Sequence, residues 1–425
     1  MGAHLGQTDP PAERGRHALC RMTTQSKSIL ITTIAARQGG VPAMLRFAID
    51  ALRRNGWDPH LAYYEPYSQS PELSVPVQAL VRRAVSSRRE EGIGGTKATA
   101  VGAWLPELEF THYRPSAQWR ELIAGFPMHL VISGTAIAGA ALASLGKPFV
   151  AWLATDLEGD RCDRVGTFPW YRRMLDQGLN VHVLRAQERR VIHRAHVLAL
   201  SKHTEGELNR IAGRKVVREV LPAPIDTRIF KPKAGFTTAG RIGFSGRLDD
   251  PRKNVALLLD SMVDLAHSCP ESELVLIGHR PGTPLEAWIA ARGLDARVKL
   301  LPYVAPEQLP EILAELDVFA VPSHQEGLCI AALEAMACGV PVISTRCGGP
   351  EDFISDGHNG WLVEVNARDL AEALRRVIKD RASRLSMGIA ARRTIESHYS
   401  IGSAEKILMG ALNQTFPNQI RSLCA

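Results

Sequence analysis

The chain has 425 residues, 45% of them hydrophobic and 22% charged, and its 51 Lys and Arg against 44 Asp and Glu give a formal net charge of +7. These values are typical of a folded globular protein with more than one domain, and they exclude a chain that is disordered throughout. The mild basic excess favours anionic partners such as nucleotides or an anionic membrane surface. The sequence has no Lys- and Arg-rich block with interleaved aromatic residues, so we do not expect nucleic-acid binding.

Cysteine usage and two apolar or basic segments bear on the compartment. The seven cysteines are scattered without a Cys-x-x-Cys pair, which argues against a disulfide framework or a zinc site and favours a reducing cytoplasm. Residues 1–21 lack the apolar core of a signal peptide and are expected to be a disordered tail or, since Met22 comes shortly before the first strand, an over-extended start. Residues 129–146 approach the length of a membrane-spanning helix but contain three glycines, so a buried strand followed by an Ala-rich helix is expected instead.

Short apolar strands alternate with helical stretches through the first half of the chain, which we predict to be an acceptor-side Rossmann-like domain over residues 22–225. A helix is predicted at 41–54, after the loop 35–40. Residues 65–120 hold five prolines and mixed charge, so we expect an irregular insertion there. The strands of this half are predicted at residues 28–32, 59–64, 130–132, 148–154 and 197–200.

The second half repeats the alternation after a linker at 226–238, which follows Pro222 and Pro224 and contains Pro232. Continuous apolar strands between amphipathic helices predict a second parallel sheet covered on both faces, over residues 239–400, and a C-terminal helix at 401–425 that packs back on the first domain. The strands of this half are predicted at residues 241–245, 274–277, 298–300, 318–321 and 341–344. Two doubly wound domains of this kind bind ligands at the carboxyl ends of their strands, which here face a cleft between the domains.

The most informative motif is a pair of glutamates, Glu326 and Glu334, which are eight residues apart. Glu334 lies in an apolar stretch that predicts a helix beginning after Gly327 and ending at Gly339, two residues before a helix-stopping proline. A carboxylate on an apolar helix needs a polar partner, which ribose hydroxyls would supply. The helix N-terminus and the neighbouring glycine favour a phosphate group, so the pattern indicates a phosphorylated, polyhydroxylated ligand.

Other loops that follow predicted strands carry glycines and cations. Gly246 and Arg247 come directly after one strand and Lys253 follows within a few residues, so positive charge lies where the next helix begins. A later strand ends in Gly278 and His279. Each loop alone is as well explained by an ordinary solvated turn; their joint occurrence at one edge of a sheet is what indicates a diphosphate site.

The chain resembles the large family of retaining glycosyltransferases with the GT-B fold, family 4 (the glycosyl transferases group 1 type), most clearly over residues 197–400 and loosely before them. The resemblance implies two Rossmann-like domains that face each other across a cleft. The stretches that carry it are Gly243–Arg247 with Lys253, Leu276–His279, Leu301–Ser323, Glu326–Glu334, Gly339–Ile343 and Gly348–Glu351, and residues 224–232 resemble the interdomain segment of the family.

The resemblance also implies roles for individual residues. Arg247 and Lys253 would hold the donor diphosphate and neutralise the leaving nucleotide, and Glu334 would bind the ribose hydroxyls. Glu326, with the backbone after Gly327, would contact the donor sugar and stabilise an oxocarbenium-like transition state. The other donor-binding positions implied are Gly39, Gly40, Gly246, His279, Ser323 and Leu328.

One family feature is missing. Many relatives carry a histidine on the loop of the N-terminal domain near the donor sugar, and residues 152–161 of this chain contain none. Asp156 is our candidate catalytic residue at this place, Glu158 is the alternative, and the role being absent is the third reading. His129 and His182 are interpreted as ordinary strand and helix residues.

The resemblance implies transfer of a hexose from a nucleotide diphosphate sugar, with UDP and GDP as candidate carriers, to a hydroxyl acceptor with retention of configuration. We expect no metal, because Asp249-Asp250 lacks Asp-x-Asp spacing and lies near Lys253. The expected acceptor is a glycan or a lipid-linked saccharide, reached by a cytoplasmic protein in peripheral contact with the anionic inner face of the membrane. A nucleotide-sugar epimerase of the same fold and a non-catalytic nucleotide-sugar-binding protein are the alternatives.

Overall fold

Two parallel sheets, one in each half of the chain, organise the protein. The computed structural model describes residues 27–34, 40–80, 84–161, 170–233, 240–305 and 307–421. The elements of the first half are β1 (Ser28–Ile34), α1 (Gly40–Arg54), β2 (Asp58–Tyr64), β3 (Ser87–Glu91), β4 (Lys97–Val101), α2 (Ala117–Ala124), β5 (Met128–Ser133), α3 (Ala140–Ser144), β6 (Val150–Leu153), α4 (Leu157–Arg161), α5 (Trp170–Leu175), α6 (Val181–Arg194), β7 (His196–Ala199), α7 (Lys202–Ala212) and β8 (Val217–Val220).

The second half contains a shorter series. Its elements are β9 (Arg241–Ser245), α8 (Val255–Ser268), β10 (Glu273–His279), α9 (Leu285–Ala290), β11 (Val298–Pro302), α10 (Leu309–Leu313), β12 (Val318–Val321), α11 (Ile330–Ala337), β13 (Val342–Thr345), β14 (Gly360–Val363), α12 (Ala367–Lys379), α13 (Arg381–His398), α14 (Ile401–Thr415) and α15 (Pro417–Arg421). The tail predicted at 1–21 and the part of the linker at 234–238 lie outside the described residues.

Strand order places the first strand of each half inside its sheet. Among the described residues the first sheet runs β3-β4-β2-β1-β5-β6-β7-β8 and the second runs β11-β10-β9-β12-β13-β14. Neighbouring strands are parallel except β3, which pairs antiparallel with β4. Central strands such as β5, β6, β12 and β13 are buried at every position, as expected where helices cover both faces of a sheet.

Residues 65–120 differ from the irregular insertion that the sequence predicts. This stretch contributes β3 and β4, and β4 pairs in parallel with β2, so the first sheet extends through it. The sequence does not predict β3, because its residues, Ser-Arg-Arg-Glu-Glu, show no apolar alternation. They form an edge strand that is mostly exposed. The short β4 alone does not stand out between two proline-rich segments.

The C-terminal helices connect the two halves. Ile225, at the end of the first domain, donates its N–H to the carbonyl of Tyr399 over 3.0 Å, so the two chain crossings lie side by side. Arg392 of α13 donates to the carbonyls of Thr227 and Phe230 and holds the linker against this helix. α14 then packs on α1, where Glu405 accepts hydrogen bonds from Arg54 and Asn55 at 2.7 Å.

Apolar packing also crosses from one domain to the other. One cluster of buried side chains includes residues of α1 and the first sheet, of α11 and the second sheet, and of α14. Two further clusters lie on the opposite faces of the two sheets. No helix within the described part of the chain is long and apolar enough to span a membrane. The strand predicted within 129–146 is β5, and the Ala-rich helix after it is α3.

Candidate active site

Four loops meet at the carboxyl-end edge of the second sheet, because β10, β9, β12 and β13 are neighbours in it and run parallel. Each loop carries one of the sequence motifs: Gly246 to Lys253 after β9, Gly278 and His279 at the end of β10, Ser323 to Gly327 after β12, and Cys347 to Gly349 after β13. Parallel strand ends bring residues far apart in sequence to one edge, so the motifs lie together.

Glu326 and Lys253 form a buried ion pair in this edge. The Lys253 Nζ lies 2.7 Å from the Glu326 Oε1, and the same oxygen accepts a hydrogen bond from the Ser323 hydroxyl over 2.7 Å. Burial alone would lower the pKa of Lys253, but the adjacent carboxylate outweighs it and the pKa is raised. The second oxygen of Glu326, Oε2, has no hydrogen-bond partner among the residues that the structure describes. Lys253 is therefore a fixed cation and Glu326 an oriented carboxylate with one free oxygen.

Arg247 supplies a second cation at the same edge. Its guanidinium lies 2.6 Å from Asp250, and the Arg247 side chain is 42% exposed. Asp250 also accepts hydrogen bonds from the backbone and side chain of Arg252. Burial of Asp250 works against ionisation, but these guanidinium groups lower its pKa to about 2. Asp250 is thus a permanent anion that braces the basic loop, with Arg247 at the solvent side.

A close backbone approach explains one glycine of the site. Gly278 has a φ of +107°, and a Cβ there would lie 2.1 Å from the carbonyl oxygen of Gly246. Both the conformation and the contact exclude any side chain. The adjacent His279 places its Nε2 2.9 Å from Glu286, and its Nδ1 is buried without a partner among the described residues.

Glu334 lies on α11 with a half-buried carboxylate that has no hydrogen-bond or ion-pair partner among the described residues. Burial raises its pKa to about 7, and Arg46 of α1 opposes that rise more weakly. A carboxylate left without a protein partner is suited to accept hydrogen bonds from a ligand. The carboxylate of Glu334, the only acid on α11, therefore has hydrogen-bonding capacity left for a ligand.

The N-termini of α1 and α11 meet across the cleft. A Cβ on Gly40, the first residue of α1, would lie 3.1 Å from the Cδ1 of Ile330, the first residue of α11. Cys329, which precedes α11, has a φ of +65°, a strained conformation for a residue other than glycine, costing about 1–3 kcal/mol. Gly39 lies outside the described residues. The first residues of two helices thus lie close together, and helix N-termini favour anions.

The structure gives Gly327 a reason for being glycine besides the ligand approach that the sequence predicts. A Cβ at this position would lie 2.1 Å from the carbonyl oxygen of Ala154, in the loop between β6 and α4 of the first domain. Next to it, the Gln325 side chain donates a hydrogen bond to the Thr155 hydroxyl over 3.0 Å. Gly327 therefore allows contact between the two domains, with Glu326 held between two residues that touch the N-terminal domain.

Asp156 follows in that loop and caps a helix. Its buried Oδ2 accepts hydrogen bonds at 3.0 Å from the N–H groups of Glu158 and Gly159, the geometry of an N-cap for α4. Glu188 of α6 supports the same turn by accepting the N–H of Leu157 over 2.8 Å. The structure thus gives Asp156 a structural partner set, and its catalytic role stays a prediction.

One predicted donor-binding position, Leu328, is covered in the structure, and three residues near the site were not predicted. The Leu328 side chain is buried in the core and Gly349 packs directly on its backbone, so its donor-binding role stays a prediction. Sequence reasoning missed Gln325, Thr155 and Arg46. Each is an ordinary polar residue in the sequence, and only its neighbour in the other domain distinguishes it.

Comparison with known proteins agrees with this geometry. Residues 226–394 match the family model described as "Glycosyl transferases group 1". This segment belongs to the glycosyl transferases group 1 family. It holds Arg247, Lys253, Glu326 and Glu334, which make up the edge described above.

The chain spans about half the length of the curated relatives that it matches. A D-inositol 3-phosphate glycosyltransferase from a Nocardioides species is 34% identical over 192 residues, which are 39% of this chain and 42% of that protein. A GDP-mannose-dependent alpha-(1-6)-phosphatidylinositol monomannoside mannosyltransferase from Mycolicibacterium smegmatis is 30% identical over 229 residues, 49% of this chain and 60% of that protein. These partial matches support the family assignment and do not assign the substrates of the relatives to this chain.

Solved structures match almost the whole chain. The sucrose-phosphate synthase of Thermosynechococcus elongatus superposes with a TM-score of 0.69 at 19% identity, over 92% of this chain and 99% of that one. Anabaena Alr3699/HepE in complex with UDP-glucose gives 0.66 at 18% identity, over 91% and 99%. At such identities the likeness shows the fold alone, and it confirms the GT-B fold that the sequence predicts.

Proposed function

We propose that this protein transfers a hexose from a nucleotide diphosphate sugar to a hydroxyl acceptor, with retention of anomeric configuration. The observation that carries the proposal is the buried Lys253–Glu326 pair at an edge that also holds Arg247. When the sugar leaves, negative charge develops on the diphosphate, and cations fixed in advance stabilise it without reorganisation. Lys253 and Arg247 supply this charge.

Glu326 acts on the sugar side. Its Oε1 is occupied by Lys253 and Ser323, which fixes the orientation of the carboxylate. The free Oε2 accepts a hydroxyl of the donor sugar and lies near the positive charge that develops at the anomeric carbon. A carboxylate held in place by two partners loses little further freedom when the sugar binds, which favours the transition state.

Glu334 acts on the nucleotide side by accepting the ribose hydroxyls. Its carboxylate without a partner and the facing N-termini of α1 and α11 support a site for ribose and diphosphate together. Of the similar proteins, one is described as GDP-mannose-dependent and another was solved with UDP-glucose. Both UDP- and GDP-sugars are therefore the donors to test.

We further propose that transfer needs no metal. The acids on the basic loop that carries Arg247 and Lys253 are Asp249 and Asp250, and a divalent ion held there on the diphosphate would need their oxygens as ligands. Asp250 is engaged by Arg247 and Arg252, and Asp249 lies 3.3 Å from Arg280. Transfer should continue at an unchanged rate in excess EDTA; loss of activity that Mn²⁺ restores would refute this part of the proposal.

For the acceptor we propose a saccharide or a lipid-linked saccharide, used by a cytoplasmic protein that contacts the membrane from one side. The mannosyltransferase from Mycolicibacterium smegmatis is named for a phosphatidylinositol-linked acceptor, whereas the glycosyltransferase from Nocardioides is named for an inositol phosphate. Both acceptors present a hydroxyl group beside a phosphate, which fits the basic excess of this chain.

A thermal-shift screen of UDP, GDP and ADP with their hexose conjugates, with and without Mg²⁺, tests the donor site. A nucleotide at a hundredfold excess over its dissociation constant stabilises the fold by about 2.7 kcal/mol. The hit is then incubated with and without candidate acceptors, using a labelled sugar. Transfer of label that Glu326→Gln abolishes supports the proposal. Conversion of the donor without any acceptor would indicate an epimerase, and the absence of any hit would refute the donor site.

A further inference from the structure

The helix on the outside of the N-terminal domain has an unusual surface. α5, a π-helical turn over Asp176–Asn180 and α6 follow one another without a break from residue 170 to residue 194. At 1.5 Å per residue such a segment is about 37 Å long. At its start, Trp170 is 73% exposed and Met174, one turn later, is 66% exposed. Leu179, in the π-helical turn, is 43% exposed. This helix thus carries three large apolar side chains that are exposed.

The exposed charges on this helix have a single sign. Among its described side chains, Arg185, Arg189 and Arg190 of α6 are exposed. Both acids, Asp176 and Glu188, are buried instead. Asp176 pairs with the buried Arg161 of α4, and Glu188 accepts a hydrogen bond from the backbone N–H of Leu157, also in α4. The acids therefore point into the domain, and the outer face combines exposed apolar groups with cations.

A single exposed apolar residue is common, but three large and exposed apolar side chains on one helix beside several exposed arginines form an unusual surface. In a membrane interface the same side chains are favourable, because Trp and Met enter the boundary between headgroups and acyl chains while arginines meet anionic headgroups. One exposed acid, Glu158 of α4, lies 3.6 Å from Arg185, so this arginine is partly neutralised.

We propose that the helix over residues 170–194 is the surface with which this protein lies on an anionic membrane. Trp170, Met174 and Leu179 enter the interface, and the arginines of α6 contact the headgroups. The placement relates to the cleft, because Glu188 on the inner side of this helix holds the loop that carries Thr155 and Asp156. The inference extends the proposed function, since it brings a lipid-linked acceptor to a site that opens beside this loop.

Co-sedimentation with vesicles tests the surface without any turnover. The full chain is mixed at low ionic strength with vesicles of phosphatidylcholine alone or with about 30 mol% phosphatidylglycerol, where surface charge is least screened. We expect the protein to bind the anionic vesicles and not the neutral ones. The double variant Trp170→Ser with Met174→Ser should bind at least about tenfold more weakly, because two large apolar groups no longer leave water.

The matched control is a pair with the same spacing elsewhere. Leu385 and Ile389 of α13 are four residues apart and each is 56% exposed. Their double Ser variant should bind the vesicles like the unchanged protein. For charge, Arg189→Gln with Arg190→Gln should weaken binding roughly fivefold per residue, whereas the exposed Arg381 and Arg393 changed to Gln should have no effect.

Several outcomes would overturn the proposal. One is no binding of the unchanged protein to anionic vesicles, and another is equal loss in the control pairs. A third is self-association without lipid that the Trp170 and Met174 changes abolish, since a second copy would then cover the helix. A fourth is binding to RNA at equal charge density that is as strong as binding to vesicles. Nucleotide-induced thermal shifts, measured on each variant, separate a failed surface from a failed donor site.

Discussion

Replacing Lys253 by methionine should separate the contribution of the buried ion pair to stability from the catalytic role that we propose for it. The Lys253 side chain is 18% exposed and its Nζ lies 2.7 Å from Glu326, which is 8% exposed. At an effective dielectric constant of about 20, charges at this distance attract by about 6 kcal/mol, of which desolvation offsets a large part. Methionine keeps the volume of the side chain but leaves Glu326 as an unpaired buried charge. Removing one partner of such a pair costs about 3–5 kcal/mol.

Urea denaturation of three variants checks this figure. Lys253→Met should lose about 3 kcal/mol or more of the free energy of unfolding. The double variant Lys253→Met with Glu326→Gln should recover most of that loss, because no charge is then left unpaired. Lys233→Met is the matched control: its ion pair with Glu315 has the same 2.7 Å distance but is 50% and 37% exposed, so its loss should stay below about 1 kcal/mol.

Transfer activity of the same variants should not follow stability. Loss of one preorganised cation costs about 10²- to 10³-fold in kcat. The double variant should therefore be nearly as stable as the unchanged protein and still inactive. If it were as unstable as the single variant, an unpaired Glu326 could not be the cause of the loss. If Lys253→Met kept full kcat, Lys253 would not stabilise the leaving diphosphate.

Two further predictions concern the nucleotide and the cleft. Because Glu334 has a pKa of about 7 in the folded protein against an ordinary 4.5, the folded state binds more protons between these values. Its contribution to stability is therefore present below pH 4.5 and lost as the pH rises to 7. Nucleotide affinity should change in the opposite direction and rise with pH up to about 7, because in our proposal the ribose hydroxyls donate to the ionised carboxylate. Calorimetry should show this rise for the unchanged protein and a flat profile for Glu334→Gln. A slope that persists in the variant would contradict the assignment of Glu334. Gly327→Ala should force the domains apart at Ala154 and lower kcat about a hundredfold. Gly402→Ala, in open space on α14, should leave kcat unchanged, and equal losses in both would mean that the cleft contact is irrelevant.

Much of the second domain could be predicted because its local signals agree. The strand predicted at 241–245 is β9, and the helix predicted after Gly327 is α11, beginning at Ile330. Each apolar run is bounded by glycines or prolines, so local propensity and burial give the same answer. That Lys253 meets Glu326 follows from neighbouring strands, but the contact distance depends on loop conformation such as the φ of +47° at Asn254, for which the sequence has no clear signal.

The first domain was harder because its signals conflict. The edge strand β3 consists of polar and charged residues, and burial there is decided by a neighbouring strand and not by the residues themselves. Asp156 shows the same limit at a single position: a carboxylate near the cleft reads as catalytic in the sequence, while in the structure it accepts two backbone N–H groups as a helix cap. The capping role of Asp156 could have been predicted from the sequence, since an Asp before a short helix is a common N-cap.

On the proposed function, the position of Glu326 would couple catalysis to contact between the two domains. Its neighbours on both sides, Gln325 and Gly327, contact the first domain through Thr155 and Ala154. Any motion that separates the domains must therefore either break these contacts or carry the loop of Glu326 with the first domain and away from Lys253. In both cases the donor would meet an incomplete site while water has access. On the proposed function, donor hydrolysis, the reaction that competes with transfer, would thus be disfavoured when the domains separate, because charge stabilisation and exclusion of water would depend on the same contacts.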